Sequence, residues 1–544
     1  MTHLKRLKTM WSFCSRNWAY PLPLFPWDRI GTKPYTLKTT LPRHSFLLSL
    51  LVLLGFLFSS PIQAQEKKGK KILIKNADKA IFQKSTGRNR LLGNVIFEHD
   101  GALMYCDSAW LYNETNRIKA YENVRLNQGD TLFLTGDYLE YSGNTKLAKV
   151  TGEEVRLRDP QMELVTTRLD LDRNTDLAYY AVGGTITDKE NILTSKKGFY
   201  NTQAKVFNFK DSVVLTNPDY VIESDTLIYH SNSRVSYFHG PTTITSDSSF
   251  IYCENGIYNT ITDIAQFERN AYLYDDNKYL TGDSLYYEKK DEYGEVYGCV
   301  FIHDTVDNYT ITGDYGEYLG VKDSAFVTIE PVYSVMQDND TLHIHGDTLL
   351  SYIHKDSLTD YRQVQVFHGV KFFKQDLQGS CDSLTYATLD STFRMFRVPI
   401  LWNDSSQVTG DTIYLTMKND KLDSMKVLSN SFLLSHIELN KYNQVKGRKM
   451  LGKFYDNKLK RVLVNGNGQS IYYPRNDDKE YIGMNKSISS KILIKFKESQ
   501  VHEISYLNKP DSKLYPLDKL PETELEGFFP RFDLRPKNKY EILE

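Results

Sequence analysis

A column of acidic side chains recurs along the chain: Asp107, Asp137, Asp225, Glu254, Asp283, Asp314, Asp347, Asp382 and Asp411, with Thr167 in the same register. Carboxylates at repeated positions could act as general acids and bases or as calcium ligands. The Gly-Gly-x-Gly-x-Asp calcium repeat is absent, however, and a residue type that returns in every repeat usually holds the repeat together. The column therefore reads as turn or corner residues whose carboxylates bond neighbouring backbone groups. His343-Ile344-His345 sets two imidazoles on one face of a strand, a possible metal pair with no third ligand, and reads as surface histidines. There is no Gly-x-Ser-x-Gly, no phosphate-cradling loop and no His-Glu-x-x-His. The sequence thus predicts a protein that is not an enzyme, with no catalytic residue, no metal and no cofactor.

Cysteine usage points the same way. Cys14 lies near the N-terminus, and Cys106, Cys253 and Cys381 fill the small slot just before the acidic residue, where other repeats have Gly. In a stacked array Cys106 and Cys253 stand roughly 47 Å apart by strand spacing, against the ~7 Å a disulfide needs. Cys299 is also too far from Cys253, so these read as free thiols in small slots.

The elements that carry the column are short. The signature is small-Asp-x-Leu-x-Tyr, as in Gly282-Asp283-Ser284-Leu285-Tyr286-Tyr287, with gaps of 30, 30, 58, 29, 29, 31, 33, 35 and 29 residues. The period is about 30. A second signature alternates with it: Gly93-Asn94-Val95, Asn123-Val124-Arg125-Leu126, Glu154-Val155-Arg156-Leu157, Pro241-Thr242-Thr243-Ile244 and Gly369-Val370-Lys371-Phe372. Each repeat therefore makes two passes. They are β-branched and aromatic, bounded by Asn, Asp, Gly or Lys, and read as antiparallel strands. The 38 Tyr fit that reading.

The Gly-Asp step inverts the apolar phase. Leu280 and Leu285 are five residues apart, an odd number that sends them to opposite faces of a straight strand. Both reach one core only if each such pass turns a corner, at Gly136-Asp137, Gly282-Asp283, Gly313-Asp314, Gly346-Asp347 and Gly410-Asp411. The Gly is expected to allow a kink or a close approach. Since Cys replaces it elsewhere, Gly282→Cys is expected to be tolerated and Gly282→Val not. Stacked corners make two facing sheets with an apolar trough between them. The predicted lining is Leu134, Leu139, Tyr141, Leu227, Tyr229, Leu280, Leu285, Tyr287, Ile311, Tyr318, Ile344, Leu349, Leu384, Tyr386, Ile413 and Leu415. Such a trough suits acyl chains, whose burial is worth ~0.8 kcal/mol per CH₂.

Charge and hydropathy set the compartment. Residues 1–64 hold eight Lys/Arg and one acid, and the remainder carries a net charge of −8, which offers no footprint for nucleic acid. Phe46 to Phe58 is a short apolar run after Lys38 and Arg43, ending in Ser59-Ser60-Pro61-Ile62-Gln63-Ala64. That layout predicts a signal peptide cleaved after Ala64 and a protein of the periplasm or the periplasmic side of the outer membrane; the run is too short for a membrane span.

Gly93-Asn94-Val95, Cys106-Asp107-Ser108-Ala109-Trp110-Leu111-Tyr112, Asn123-Val124-Arg125-Leu126 and Gly136-Asp137-Tyr138-Leu139-Glu140-Tyr141 resemble the OstA-like (LptA) family, and the length resembles its extended Bacteroidetes-type members. The resemblance runs from Ile72 to about Lys453. It implies an elongated, all-β antiparallel jellyroll of V-shaped stacked sheets, built from ~30-residue repeats, that carries the lipid part of lipopolysaccharide towards the outer membrane as a bridge or chaperone. It implies partners of three kinds: lipopolysaccharide or a related lipid, other envelope jellyroll proteins joined by strand-edge pairing, and an outer-membrane assembly component. The expected organisation is a leader (1–64), a first jellyroll part (65–240), a second (241–486), and terminal strands with a Pro-rich cap or docking tail (487–544). The competing readings are a structural or adhesive β-solenoid without a lipid, and a polysaccharide-active β-helix enzyme, for which clustered carboxylates are wanting.

Overall fold

The computed structural model describes residues 70–544, excluding 84–85, 130–131, 189, 276, 321–322, 338–339, 356–358, 439–440 and 499. The leader, with its apolar run and expected cleavage site, lies outside the described residues. The described chain forms strands almost throughout, with one 3₁₀ turn at Phe532–Leu534. Successive strands pair antiparallel with their sequence neighbours, so the sheet is a long meander. Tight hairpins fix the period. Those that follow the acidic-column strands close on a left-handed residue at Asn116, Lys146, Asp176, Lys205, Arg234, Asp263 and Glu292. Short polar side chains meet that demand at three of these sites, and tertiary context imposes it on the rest.

Each strand of the acidic column belongs to two walls. In Leu132–Ser142, Leu132 and Leu134 are buried before the Gly-Asp step, and Leu139 and Tyr141 after it. The apolar phase therefore inverts at the step, and the walls enclose one interior. We call the wall before the step the first wall and the wall after it the second.

The corner is made differently from the expectation. Gly136, Gly282, Gly313, Gly346 and Gly410 do not have left-handed backbone. The bend sits on the neighbouring strands, where two consecutive left-handed residues oppose one acidic residue: Glu122-Asn123, Asp211-Ser212, Arg269-Asn270, Gly298-Cys299, Ile329-Glu330, Arg397-Val398 and Ser429-Asn430. Pairing skips there, as between Glu268/Ser284 and Ala271/Gly282. The acidic residue locks the bulge. Its amide donates across the corner, from Asp314 to Ile329 O at 3.0 Å and from Asp411 to Ser429 O at 3.2 Å. Its carboxylate accepts from Asn123 Nδ2 at 2.6 Å (Asp107), the Glu153 amide at 2.9 Å (Asp137) and Asn270 Nδ2 at 2.7 Å (Glu254).

The glycines are required by crowding instead. A Cβ on Gly136, Gly313 or Gly346 would lie 2.5, 2.5 or 2.6 Å from a Cγ1 of Val150, Val327 or Val366, and one on Gly282 or Gly410 would meet Val296 or Val427 closer than 3.0 Å. Where Cys or Ser fills the slot, the facing residue is not β-branched: Ala120 for Cys106, Phe238 for Ser224, Phe267 for Cys253 and Met395 for Cys381. The expected tolerance of Gly282→Cys fails on this point, because Val296 occupies the space. Cys106, Cys253 and Cys381 are buried free thiols.

The buried interior falls into segments: Ile72 to Phe238, a small cluster from Cys253 to Val300, and Tyr309 to Phe496. After the edge strands Gln500–Leu507 and Asp511–Tyr515, the Pro-rich tail folds back across the outer face of the first wall. Gln444 accepts from the Leu525 amide (2.9 Å) and donates to Thr523 O (2.8 Å). Gln407 does the same with the Arg531 amide (2.7 Å) and Phe529 O (2.8 Å). Leu525 joins Phe432, Leu434, Ile471, Tyr473 and Met484 in a separate outer core.

Candidate functional site

All sixteen predicted lining residues are buried or half-buried, but not equally. Leu134, Leu139, Tyr141, Leu227, Leu285, Ile311, Ile344, Leu349, Leu384, Ile413 and Leu415 are buried, whereas Tyr229, Leu280, Tyr287, Tyr318 and Tyr386 are half-buried. The difference is regional. Towards the N-terminal end, first-wall positions far from the corner are closed: Leu126, Leu134 and Leu157 are 0% exposed. Towards the C-terminal end, Ile311 and Ile344 are also 0% exposed, and the cavity beside Leu342, Phe372 and Leu384 measures about 20 Å³. That is room for about one water and far too little for an acyl chain, so side chains occupy most of that end.

Between these ends most of the same positions are half-exposed, although Ile222 stays buried. Leu215, Ile244, Ile251, Leu273, Leu280 and Ile302 line the first wall, with Tyr220 beside them, and Tyr229, Tyr258 and Tyr287 line the second. From Leu215 to Ile302 the chain crosses six strand spacings, about 29 Å at ~4.8 Å each. One wall is aliphatic, and the other carries a tyrosine every 29 residues. Cys253, Phe267, Ala271, Leu285 and Val296 form the floor. Of these window residues only Tyr229, Leu280 and Tyr287 belong to the sequence-derived lining; Leu215, Tyr220, Ile244, Ile251, Tyr258, Leu273 and Ile302 do not. The 29-residue step from Tyr229 to Tyr258 and on to Tyr287 was the signal for one of them, masked because Gly256 replaces the signature Leu.

Polar clasps close the mouth on either side of this window. At the N-terminal end the Tyr141 hydroxyl donates to His99 Nδ1 (2.7 Å), His99 Nε2 donates to Lys70 O (2.9 Å), and Arg173 donates to Tyr141 Oη (3.0 Å) and Asp100 O (3.0 Å). Nearer the window, Tyr200 of the second wall donates to Asp159 of the first (2.5 Å), and Lys205 reaches the same carboxylate at 3.0 Å. Burial works to raise the Asp159 pKa, but hydrogen bonds from Tyr200, the Gln161 amide and Lys205 outweigh it and hold the carboxyl below its ordinary range. Beyond the window, Lys278 (first wall) donates to Asp323 (second wall) at 2.7 Å, and Arg362 (second wall) to Asp307 (first wall) at 3.0 Å. Arg362 also lies over Tyr309 at 5.2 Å.

The arrangement can shelter apolar chains, and the side chains that could react do not gather in it. No cluster of three or more metal-ligating side chains occurs among the described residues. His343 bonds Ser334 Oγ at 2.8 Å and His345 bonds Pro331 O at 2.9 Å. Burial pushes the thiols of Cys106, Cys253 and Cys381 up to about 12.

The sequence profile described as OstA-like protein matches residues 69–225. Residues 69–225 thus form an OstA-like segment. The OstA-like segment contains the N-terminal closed section and both of its clasps, and ends where the window begins. No curated protein matches the chain.

Proposed function

We propose that the chain carries the acyl chains of an envelope lipid in the window between the Asp159 and Arg362 clasps. The OstA-like assignment supports a lipid-transport bridge in the cell envelope, and the resemblance names lipopolysaccharide as the cargo and the periplasm as the compartment. The observation that carries the reading is the change from filled to half-exposed interior at equivalent repeat positions. An acyl chain spanning half of a ~30 Å hydrocarbon core is ~15 Å long, so the window takes such chains lengthwise. Burying their methylenes against Leu215, Ile251 and Leu280 supplies the driving force. On this reading the protein is not an enzyme, the edge strands Leu73–Asn76 and Asp511–Tyr515 are where other jellyroll proteins add strands, and the two jellyroll parts at 65–240 and 241–486 act as one conduit.

Photo-crosslinkers at Leu280 and Tyr258 test it in envelope preparations, against Leu134 and Leu384 in the filled ends and Ser284 on the outer face. Lipid adducts from the first pair alone are expected. Equal capture from Ser284, or none from the window, refutes the reading.

A further inference from the structure

The outer face of the second wall bears two patches of opposite charge. Near the N-terminus, Trp110 is sandwiched by Arg88 at 5.3 Å and Arg90 at 5.2 Å, and Arg90 continues over Tyr121 at 5.7 Å. Arg117 and Lys149 project from the same face, and neither makes an ion pair among the described residues. Within this patch Lys119 spends its charge on Glu140 at 2.9 Å. Farther along, the strands Ile264–Asp275 to Tyr309–Leu319 turn Glu268, Glu288, Glu295 and Glu317 outward, with Arg269 at the adjoining corner and no basic residue paired opposite any of the four. Glu295 and Glu317 stand directly opposite each other, an arrangement that costs stability in isolation. Tyrosine hydroxyls brace them: Tyr286 to Glu288 at 2.5 Å, Tyr293 to Glu295 at 2.7 Å and Tyr315 to Glu317 at 2.6 Å.

We infer that the basic face of one copy docks on the acidic tyrosine face of a second copy. The chemistry matches, because guanidinium groups pair with carboxylates and lie over tyrosine rings. The two patches cannot meet within one chain. They share the outward side of one wall, and thirteen strand spacings, about 60 Å, separate Trp110 from Glu295. A patch of five strands by five residues covers on the order of 400 Å², well below the ~800 Å² per partner of a stable complex. The contact is therefore weak, steered by charge and sensitive to salt. Joining unlike patches, it is heterologous and adds copies in series. It involves neither the window nor the edge strands, so it stands whether or not the lipid reading does.

Sedimentation velocity of the mature chain over a concentration series tests it, at low salt and at 0.5 M salt. Association at low salt, weakened at least about tenfold at high salt, is expected. Arg117→Glu with Lys149→Glu, and separately Glu268→Lys with Glu317→Lys, should each abolish it, and an equal mixture of the two variants should restore it. These positions lie outside the Trp110 sandwich and the interior, and circular dichroism checks that each variant is folded. If one double variant is unfolded, neutralising Lys149→Gln alone should still weaken association. A monomeric wild type at low salt, persistent association in both variants, a mixture that stays monomeric, or a monomer that floats with anionic vesicles instead overturns the inference.

Discussion

Gly282→Cys and Val296→Ala should rescue each other. A Cβ on Gly282 would lie closer than 3.0 Å to Val296 Cγ1, and 3.2 and 3.3 Å from the carbonyl oxygens of Tyr297 and Gly298. Those backbone atoms are held in the corner bulge and Val has a stiff χ1, so neither neighbour yields cheaply. Overpacking of this kind costs ~1–3 kcal/mol. Removing glycine's freedom in the unfolded chain returns ~0.4–1 kcal/mol, leaving a net loss of about 1.5 kcal/mol for Gly282→Cys. Val296→Ala alone removes two methyl groups at ~0.8 kcal/mol each and leaves a cavity, about 2 kcal/mol in all. If the effects were independent, the double variant would lose about 3.5 kcal/mol. In the double variant the thiol fills the vacated space, the combination that Cys106 and Ala120 already form, and the loss should stay below about 2 kcal/mol. Guanidinium melts of the four proteins, with hydrogen exchange over 278–300 to localise the change, measure the coupling. Additivity within ~0.5 kcal/mol would falsify the steric account of the glycine column.

Arg362→Met should lower the unfolding free energy by about 2 kcal/mol through lost charged hydrogen bonds, read from a denaturant melt, and should let a crosslinker at Ile311 begin to capture lipid. Asp159→Asn should flatten the acid limb of stability. The carboxyl's folded pKa is depressed, so its stabilisation is complete above the unfolded value of ~3.9 and is lost as pH falls through the folded one. The variant should lose stability at pH 7 and little at pH 2, and parallel wild-type and variant curves across that window would refute the assignment. Gln407→Ala with Gln444→Ala should loosen the tail, exposing Phe432 and Leu434 to a hydrophobic dye while the interior stays protected from exchange.

The two-wall fold was legible because a phase inversion needs only residue types: Leu134 and Leu139, or Leu280 and Leu285, disclose it. The source of the bend was only partly so: Asn94, Asn123 and Asn270 mark it in some repeats, but left-handed pairs such as Ile329-Glu330 and Arg397-Val398 have no compositional mark. Their conformation is imposed by the corner opposite, as tertiary context overrides local preference. The glycine's partner was present in the sequence as a spacing of 14 residues, Gly136 to Val150 and Gly282 to Val296, but its meaning requires knowing which strands pair. The window was invisible for a different reason. Ile251 and Leu134 are alike as residues, and what separates them is how completely the surrounding side chains cover each, which their own types do not disclose.

The thin middle core also has a mechanical consequence. Most contacts in the array pass between adjacent strands, so cooperativity travels along it largely link by link and is weakest where few buried groups join the two sides. The Cys253-to-Val300 cluster is that link, flanked by two larger blocks. An occupant of the window would add apolar contacts at the compliant joint. The free energy of occupancy would then appear as torsional stiffness between the two blocks, and a filled conduit would differ from an empty one at ends the cargo never touches.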